Sequence, residues 1–174
     1  WYETIKQKIY SRSKSIYKAS SIKKIIVFGE EEEVLQYKLA NCCNPIDGDS
    51  IFGFTTVEDG IKIHKEDCPN SIQLRSNFSY RILKATWVDK EQIDFIATIN
   101  IKGIDRLGLI NSVTKIISSQ MNVNMRAINI NSNDGVFEGE ITLFVHNVAV
   151  LNSLTKKLQS VDGLTKINRT YKHI

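Results

Sequence analysis

The order of strand and helix patterns in the second half of the chain constrains the fold more than any other feature of the sequence. Residues 94–103 alternate between apolar and polar side chains, which predicts a strand. Residues 106–121 instead carry apolar side chains at helical spacing, which predicts a helix with one buried face. The apolar positions of this stripe are Leu107, Ile110, Val113, Ile116, Ile117 and Met121.

The rest of this half also contains both strand patterns and a helix pattern. Segments 122–130 and 136–146 predict the two strands of a hairpin, joined by an Asn-Asp-Gly turn. A second helical stripe follows from 150 to 161, and 164–171 predicts a closing strand. The resulting order, βαββαβ, is that of the ferredoxin-like split βαβ fold.

Shorter strand patterns precede this domain. They cover residues 24–28, 34–40, 51–57, 61–64 and 81–88. Asp67 is expected to cap a short helix that runs through Leu74, with Pro69 in its first turn. These elements predict a small α+β module, and the chain as a whole is expected to belong to the α+β class.

The chain is therefore expected to divide into three segments. Residues 1–21 have helical spacing followed by Ser- and Lys-rich sequence, which is typical of the end of a preceding helical region and a linker. Residues 22–88 form the cysteine-containing module, and 92–174 form the βαββαβ domain. No apolar run approaches the roughly 20 residues needed to cross a bilayer. We expect part of a longer chain, located in the cytoplasm and without a membrane partner.

Charge is distributed unevenly, although the formal net charge of the whole chain is only +4. Residues 1–28 carry seven Lys or Arg against one Glu, and residues 29–80 carry four against ten acidic residues. Residues 81–174 carry twelve against eight. The basic ends can approach phosphate, whereas the acidic segment would be repelled by it. Solvated faces without a partner show the same kind of pattern.

All three cysteines lie in one segment. Cys42 and Cys43 are adjacent, and Cys68 follows His64 by four residues. Three thiolates and one imidazole are a ligand set that zinc binds in tetrahedral geometry. Adjacent residues of a strand point to opposite faces, so both Cys42 and Cys43 reach one ion only if the chain turns there. The Asn-Pro sequence that follows allows such a turn.

Three other interpretations of these residues stay open. Cys43 and Cys68 are small enough to be ordinary core residues, with His64 as a satisfied polar side chain. A cysteine nucleophile with His64 as its base lacks an identifiable third group to orient the imidazole. Redox sensing would need a thiol of low pKa, which the acidic surroundings of the cysteines disfavour.

Four short runs stand out in and around the cysteine segment: Cys-Cys-Asn-Pro (42–45), Gly-Asp-Ser-Ile-Phe-Gly (48–53), Gly-Ile-Lys-Ile-His (60–64) and Asp-Cys-Pro-Asn (67–70). With these runs the segment resembles the conserved-cysteine module of the RelA/SpoT-homologue enzymes of the stringent response. Asp47 stands where that family usually has proline. Residues 105–109, Asp-Arg-Leu-Gly-Leu, are similar to a loop of the ACT domain that follows in the family, and the resemblance covers about 25–172.

This resemblance implies a regulatory C-terminal region of a bifunctional (p)ppGpp synthetase/hydrolase of the GTP pyrophosphokinase family, with no catalytic residue of its own. Such a region would sense starvation through the ribosome and uncharged tRNA, and would control the catalytic domains of the parent chain. The alternative is an ACT module that senses an amino acid or forms a homodimer without RNA.

In ACT domains, the loop between the first strand and helix often meets a small ligand, frequently an amino acid, where two copies meet. The matching residues here are Ile104, Asp105, Arg106, Gly108 and Asn111. Gly108 permits close approach of a ligand to the backbone, and the first amides of the helix favour an anion. A plainer interpretation also stays open, in which Gly108 only lets the loop turn and Asp105 caps the helix.

Any contact with RNA is expected to depend on shape and charge. The predicted strand 136–146 lacks the aromatic spacing of an RNA-recognition module. The candidate basic residues are Lys102, Arg106, Arg126, Lys156, Lys157, Lys166 and Arg169.

Overall fold

The computed structural model describes residues 25–28, 33–34, 37–88 and 93–171. The helical end and linker expected over residues 1–21 lie outside the described residues.

The chain divides into two compact units, and the division does not follow chain order. The first unit contains Ser50–Ile93 together with the described residues up to Ala40. The second unit contains Asn41–Asp49 together with the chain from Asp94 onward. Residues 41–49, which include Cys42 and Cys43, are called the cysteine loop below.

Within the described residues, the first unit is built on a six-stranded sheet and one α-helix. Its elements are β1 (Ile25–Phe28), β2 (Glu33–Val34), β3 (Tyr37–Leu39), β4 (Ile51–Thr55), β5 (Ile61–Lys65), α1 (Ser71–Phe78) and β6 (Ile82–Val88). The strand order is β2-β1-β6-β4-β5-β3, and β3 runs parallel to β5. The single strand predicted over 34–40 is represented by β2 and β3, and residues 35–36 are not described.

The two faces of this sheet have different partners. One face forms a cluster of Ile51, Ile61, Ile63 and Ala85, with Leu83 and Trp87 packed against it. Full burial of an isoleucine side chain contributes about 1.5–3 kcal/mol to the stability of the fold. The alternate positions of β4 and β5 carry Phe52, Phe54 and His64. The helix α1 lies against these rings, with the Phe54 and Phe78 ring centroids 6.2 Å apart.

The helix predicted from Asp67 to Leu74 is misplaced, because α1 begins at Ser71 and ends at Phe78. Asp67 does not cap it, since its carboxylate binds the Lys65 ammonium at 3.1 Å. The N–H of Cys68 donates to the Lys65 carbonyl, and the Ser71 N–H donates to the Cys68 carbonyl. These turns occupy the backbone groups that a helix starting at Asp67 would have used.

The second unit has the predicted order of elements. They are β7 (Phe95–Ile104), α2 (Leu109–Lys115), a π-helical turn (Ile116–Gln120), β8 (Asn124–Asn133), β9 (Val136–Val145), α3 (Val148–Leu158) and β10 (Leu164–Thr170). The sheet is antiparallel with order β10-β7-β9-β8, so β8 is an edge strand. Its pairing with β9 shifts register between Met125 and Ala127. The predicted βαββαβ fold and the α+β class are therefore confirmed.

Strict alternation along β7 builds the core of this unit. Phe95, Ala97, Ile99 and Ile101 are buried, while the residues between them are exposed or half-buried. The buried positions of the two helices are Leu109, Val113, Ile117, Leu151, Leu154 and Leu158. None of the helices in the described ranges is long and apolar enough to cross a membrane.

The helix predicted over 106–121 begins later than expected. Gly108 has φ +83°, a left-handed conformation that interrupts the helical run before Leu109. Leu107, predicted to face the core, is fully exposed. The buried positions are instead Leu109, Val113 and Ile117, each four residues after the one before.

Candidate metal centre

Two backbone hydrogen bonds hold the ends of the cysteine loop beside β5. Immediately before the loop, the N–H of Ala40 donates to the carbonyl of Ile63 at 2.9 Å. Immediately after the loop, the carbonyl of Ser50 accepts from the N–H of Glu66 at 2.8 Å. Both ends of the loop are therefore tied next to the strand that carries His64.

The turn required for two adjacent ligands is present. Cys42 and Cys43 lie in a turn after β3 and not in the strand itself. Asn44 has φ +39°, in the left-handed region that asparagine adopts more readily than most residues. The Sγ atoms of Cys42 and Cys43 are 4.0 Å apart. The two side chains thus point to the same side of the chain.

His64 and Cys68 supply the other two ligand atoms. His64 is near the end of β5, Cys68 is in the turn before α1, and the distance from His64 Nδ1 to Cys68 Sγ is 3.6 Å. The four ligand atoms of Cys42, Cys43, His64 and Cys68 all lie within 4.8 Å of one another. The sequence-predicted set is thus brought together and lies close enough to bind one metal ion.

The spacing of these atoms suits zinc. A tetrahedral ion with Zn–S bonds of about 2.3 Å and a Zn–N bond of about 2.0–2.1 Å places neighbouring ligand atoms roughly 3.5–3.8 Å apart. The separations of 3.6 Å between His64 Nδ1 and Cys68 Sγ and of 4.0 Å between the Sγ atoms of Cys42 and Cys43 are close to this range. Four protein ligands leave no open position, so the zinc that this set fits would have a structural role.

The surroundings of His64 favour the neutral imidazole that a metal requires. Its ring stacks on Phe52 with centroids 5.5 Å apart and meets Phe54 edge-on at 6.4 Å. Burial lowers the pKa of His64 below its usual value, and the nearby charge of Lys62 lowers it further. Metal ligation needs the deprotonated ring, so the apolar wall helps to prepare the ligand.

Burial weighs against the catalytic interpretation of the cysteines. Cys68 and His64 form a Cys–His pair, but only 3% and 6% of their surfaces are exposed. A substrate cannot reach a nucleophile at this depth without opening the fold. Cys43 is completely buried, and the three thiols are not joined in a disulfide. Structural metal binding and simple core packing both agree with the burial of Cys43, His64 and Cys68, whereas Cys42 is half-buried.

The stability of the metal-free chain should fall as the pH falls below about 6.5. In the unfolded chain His64 takes up a proton near its ordinary pKa of 6.5, whereas in the folded chain its pKa is lower. The unfolded state therefore binds more protons in this window, and the stabilisation present above pH 6.5 is progressively lost. Thermal unfolding with a chelator present, followed from pH 7.5 to 5.0, tests this. His64→Gln should flatten the profile, and an equally steep profile in that variant would contradict the expectation.

The predicted ligand loop of the second unit is solvent-exposed. Its predicted residues Ile104, Asp105, Arg106, Gly108 and Asn111 are all exposed. Asp105 does not cap α2 as one interpretation expected, because its carboxylate accepts from the Ser132 hydroxyl. The residue at the N-cap is Gly108, without a side-chain cap.

Several of the predicted RNA-contact residues have acidic partners. Lys102 pairs with Glu138, and Arg106 pairs with Asp162, so acidic partners offset both charges. The other exposed candidates are Arg126 on β8, Lys156 and Lys157 on α3, and Lys166 on β10. Arg169 is different, since its guanidinium binds Asp49 of the cysteine loop at 2.9 Å. Sequence reasoning missed this contact because 120 residues separate the partners.

Two family models match the chain, and together they cover most of it. The RelA/SpoT RIS domain model matches residues 25–88. The ACT domain model matches residues 91–169.

Curated relatives give the same assignment. A GTP pyrophosphokinase of Streptomyces coelicolor is 32% identical over 83% of this chain and 17% of the relative. A GTP pyrophosphokinase of Escherichia coli K12 is 30% identical over 79% of this chain and 18% of the relative. A bifunctional (p)ppGpp synthase/hydrolase RelA of Mycobacterium tuberculosis is 29% identical over 76% of this chain and 18% of the relative. The chain therefore spans less than a fifth of the length of these relatives.

Proposed function

Because this chain belongs to the RelA/SpoT family and carries its RIS and ACT domains, we propose that it is a regulatory region of a bifunctional (p)ppGpp synthetase/hydrolase. It senses starvation through the ribosome and uncharged tRNA, and it controls the catalytic domains of the parent enzyme in the cytoplasm. The observation that carries the proposal is the pairing of these two domains, shared over most of the chain with GTP pyrophosphokinases.

One surface of the first unit supports contact with RNA. The segment 71–88 contains three Lys or Arg and no acidic residue, although residues 29–80 as a whole are acidic. Within it, Phe78 and Tyr80 are 37% and 53% exposed. The Arg81 guanidinium lies over both rings, 5.5 and 5.6 Å from their centroids. Lys84 follows on β6 and is exposed. We call Phe78, Tyr80, Arg81 and Lys84 the aromatic–arginine patch.

The composition of this patch suits single-stranded or looped RNA. Exposed aromatic rings stack on bases, and arginine adds both a planar stacking surface and a charge that binds phosphate. Arg75, the third basic residue of the segment, is paired with Glu66 and adds little net charge. The positive charge available to a phosphate therefore comes from Arg81 and Lys84.

Ribosome binding should depend on this patch. Tyr80→Ala should weaken binding about tenfold, because loss of one stacking ring costs about 1–3 kcal/mol. Arg81→Ala should also weaken binding. Because about one phosphate contact is lost, the slope of log affinity against log salt concentration should fall by about one. Co-sedimentation with ribosomes, with and without uncharged tRNA in the acceptor site and across a salt series, measures both effects.

Lys38→Ala provides the matched control, because it removes a basic residue of the same unit whose ammonium pairs with Asp59 at 2.8 Å. Its binding should stay within about twofold of the parent chain. If the parent chain ignores ribosomes even at low salt, the ribosomal part of the proposal fails. If Tyr80→Ala and Lys38→Ala have equal effects, the patch is not the contact.

An exposed apolar cluster favours a second candidate function, in which the ACT domain binds an amino acid or a second copy without RNA. Leu107 is fully exposed, and Ile104 and Val136 are 56% and 50% exposed. Ile104 and Val136 are directly opposite each other on β7 and β9. Saturable amino-acid binding by calorimetry, or a dimer weakened by Leu107→Asp in sedimentation equilibrium, would favour this function over the ribosomal one.

A further inference from the structure

We propose that Arg169 is a positioning residue of the candidate metal centre. It holds the cysteine loop in the conformation that presents Cys42 and Cys43 to the ion, although it is no ligand itself. This inference rests on the candidate metal centre and is independent of ribosome binding. It concerns a residue of β10 that lies far from all four ligands in the sequence.

The guanidinium of Arg169 bridges two points of the cysteine loop. Its Nη1 donates to Asp49 Oδ1 at 2.9 Å, and its Nη2 donates to the Asn44 carbonyl at 2.8 Å. The side chains of Arg169 and Asp49 are only 15% and 6% exposed. Two donors in a fixed fork can bind both acceptors at once, which the single ammonium of lysine does less well.

The carboxylate of Asp49 also organises the loop internally. Its second oxygen accepts from the N–H of Ile46 at 2.8 Å, while the backbone N–H of Asp49 donates to the Ile46 carbonyl at 3.0 Å. Asn44, whose carbonyl binds Arg169, directly follows Cys43 and has a left-handed conformation. Arg169 therefore holds the Asn44–Pro45 peptide, one residue after the ligand Cys43, as well as the end of the loop.

A second contact leaves the loop little freedom. The Asp47 carbonyl accepts from the N–H of Val148, the first residue of α3, at 2.7 Å. Gly48 packs so closely on Val148 that an added Cβ would lie 2.7 Å from Val148 Cγ1. The loop is thus held at its middle by α3 and at its end by β10.

Holding the loop this way should raise metal affinity through preorganisation. A free loop with two left-handed residues, Asn44 and Gly48, would have to lose conformational entropy when the metal binds. Contacts that order it beforehand remove that cost from the binding step. By linkage, bound metal must strengthen the contact of the loop with Arg169 by the same factor.

Titration of the chain with Co²⁺, followed by its visible absorption, and competition with Zn²⁺ test the proposal. Arg169→Ala should weaken metal binding about tenfold, the lower end of the range for residues that orient ligands. The absorption at saturation should not change, because the ligand set is the same. Arg169→Lys should restore part of the affinity. Asp49→Ala combined with Arg169→Ala should weaken binding by less than the two single effects multiplied together, since both changes remove the contact between Arg169 and Asp49.

Lys166→Ala is the matched control, an exposed basic residue of the same strand whose loss should leave the affinity unchanged. If Arg169→Ala fails to fold, Arg169→Lys takes its place. In that case the rate of thiol modification is also measured, on the metal-free variant and on the metal-free parent. The buried Cys43 should then react faster than in the parent. The proposal is overturned if Arg169→Ala binds Co²⁺ with an affinity within twofold of the parent. It is also overturned if Arg169→Lys has an affinity within twofold of the parent and its thiols react at the same rate. A parent chain that binds no Co²⁺ overturns it too, without affecting ribosome binding.

Discussion

Replacing Cys43 by alanine is expected to weaken zinc binding by more than about a hundredfold. Changes in residues that only orient ligands already cost about 10–100-fold, and loss of one of four ligands costs more. Cys43 is completely buried, so water cannot easily take its place beside the ion. Competition with a coloured chelator gives the dissociation constants of the parent and the variant.

The same change should remove the stabilisation that zinc gives to the fold. A ligand at one hundred times its dissociation constant raises the free energy of unfolding by about 2.7 kcal/mol. Thermal unfolding of the parent chain should therefore move to higher temperature with zinc and back again with excess chelator. The midpoint for Cys43→Ala should be the same under both conditions.

His146→Ala is the control, because His146 is outside the cluster and pairs with Asp94 at 3.2 Å. It should bind zinc as the parent does. If the chelator does not change the unfolding of the parent, the cysteines and His64 are only core residues. Cys43→Ala would then destabilise the chain slightly and equally with or without zinc.

Gly103→Ala is expected to destabilise the second unit by about 3 kcal/mol or more, the upper end of the usual range for overpacking. An added Cβ would lie 2.0 Å from the Gly163 carbonyl oxygen and 2.6 Å from Cε1 of the buried Phe137 ring. The same carbonyl accepts from the Ile104 N–H at 2.8 Å, so moving it breaks a hydrogen bond between β7 and the start of β10. Equilibrium urea unfolding followed by circular dichroism measures the loss.

Gly108→Ala separates this close contact from backbone strain. Gly108 has φ +83°, but an added Cβ there would meet no atom within 4 Å. Alanine at this position should cost only about 1–2 kcal/mol, the penalty of the left-handed conformation. Equal losses in the two variants would mean that the contact between Gly103 and Gly163 is looser than described.

Local patterns were enough to predict most of the second unit. The alternation of β7 and the spacing of α3 each depend on residues within one element, and their order led to the βαββαβ fold. Leu107 was assigned to the core wrongly because period alone cannot show that Gly108 adopts a left-handed conformation. The start of α1 was wrong for a related reason, since the turn at Cys68 uses backbone groups that no side-chain pattern reveals.

The candidate metal centre was only partly accessible from the sequence. The types and spacing of the four residues suggested zinc, but their convergence depends on a turn at Cys42 and Cys43 that the sequence merely allows. The bond from Arg169 to Asp49 joins residues far apart in the chain, and arginine on a strand has no pattern that marks a buried pair. The charge of Arg169 therefore suggested a role in RNA contact, and its ion pair with Asp49 argues against that role.

The register shift in β8 has a consequence for self-association. In the described part of the chain β9 is the one strand that pairs with β8, so the other side of this ten-residue edge strand offers a row of backbone groups to which another chain could add. The shift at the exposed Arg126 interrupts that row after the first two residues of β8 and places a long charged side chain at the gap. The irregularity therefore leaves residues 127–133 as the regular part of that edge, a shorter segment for another chain to pair with.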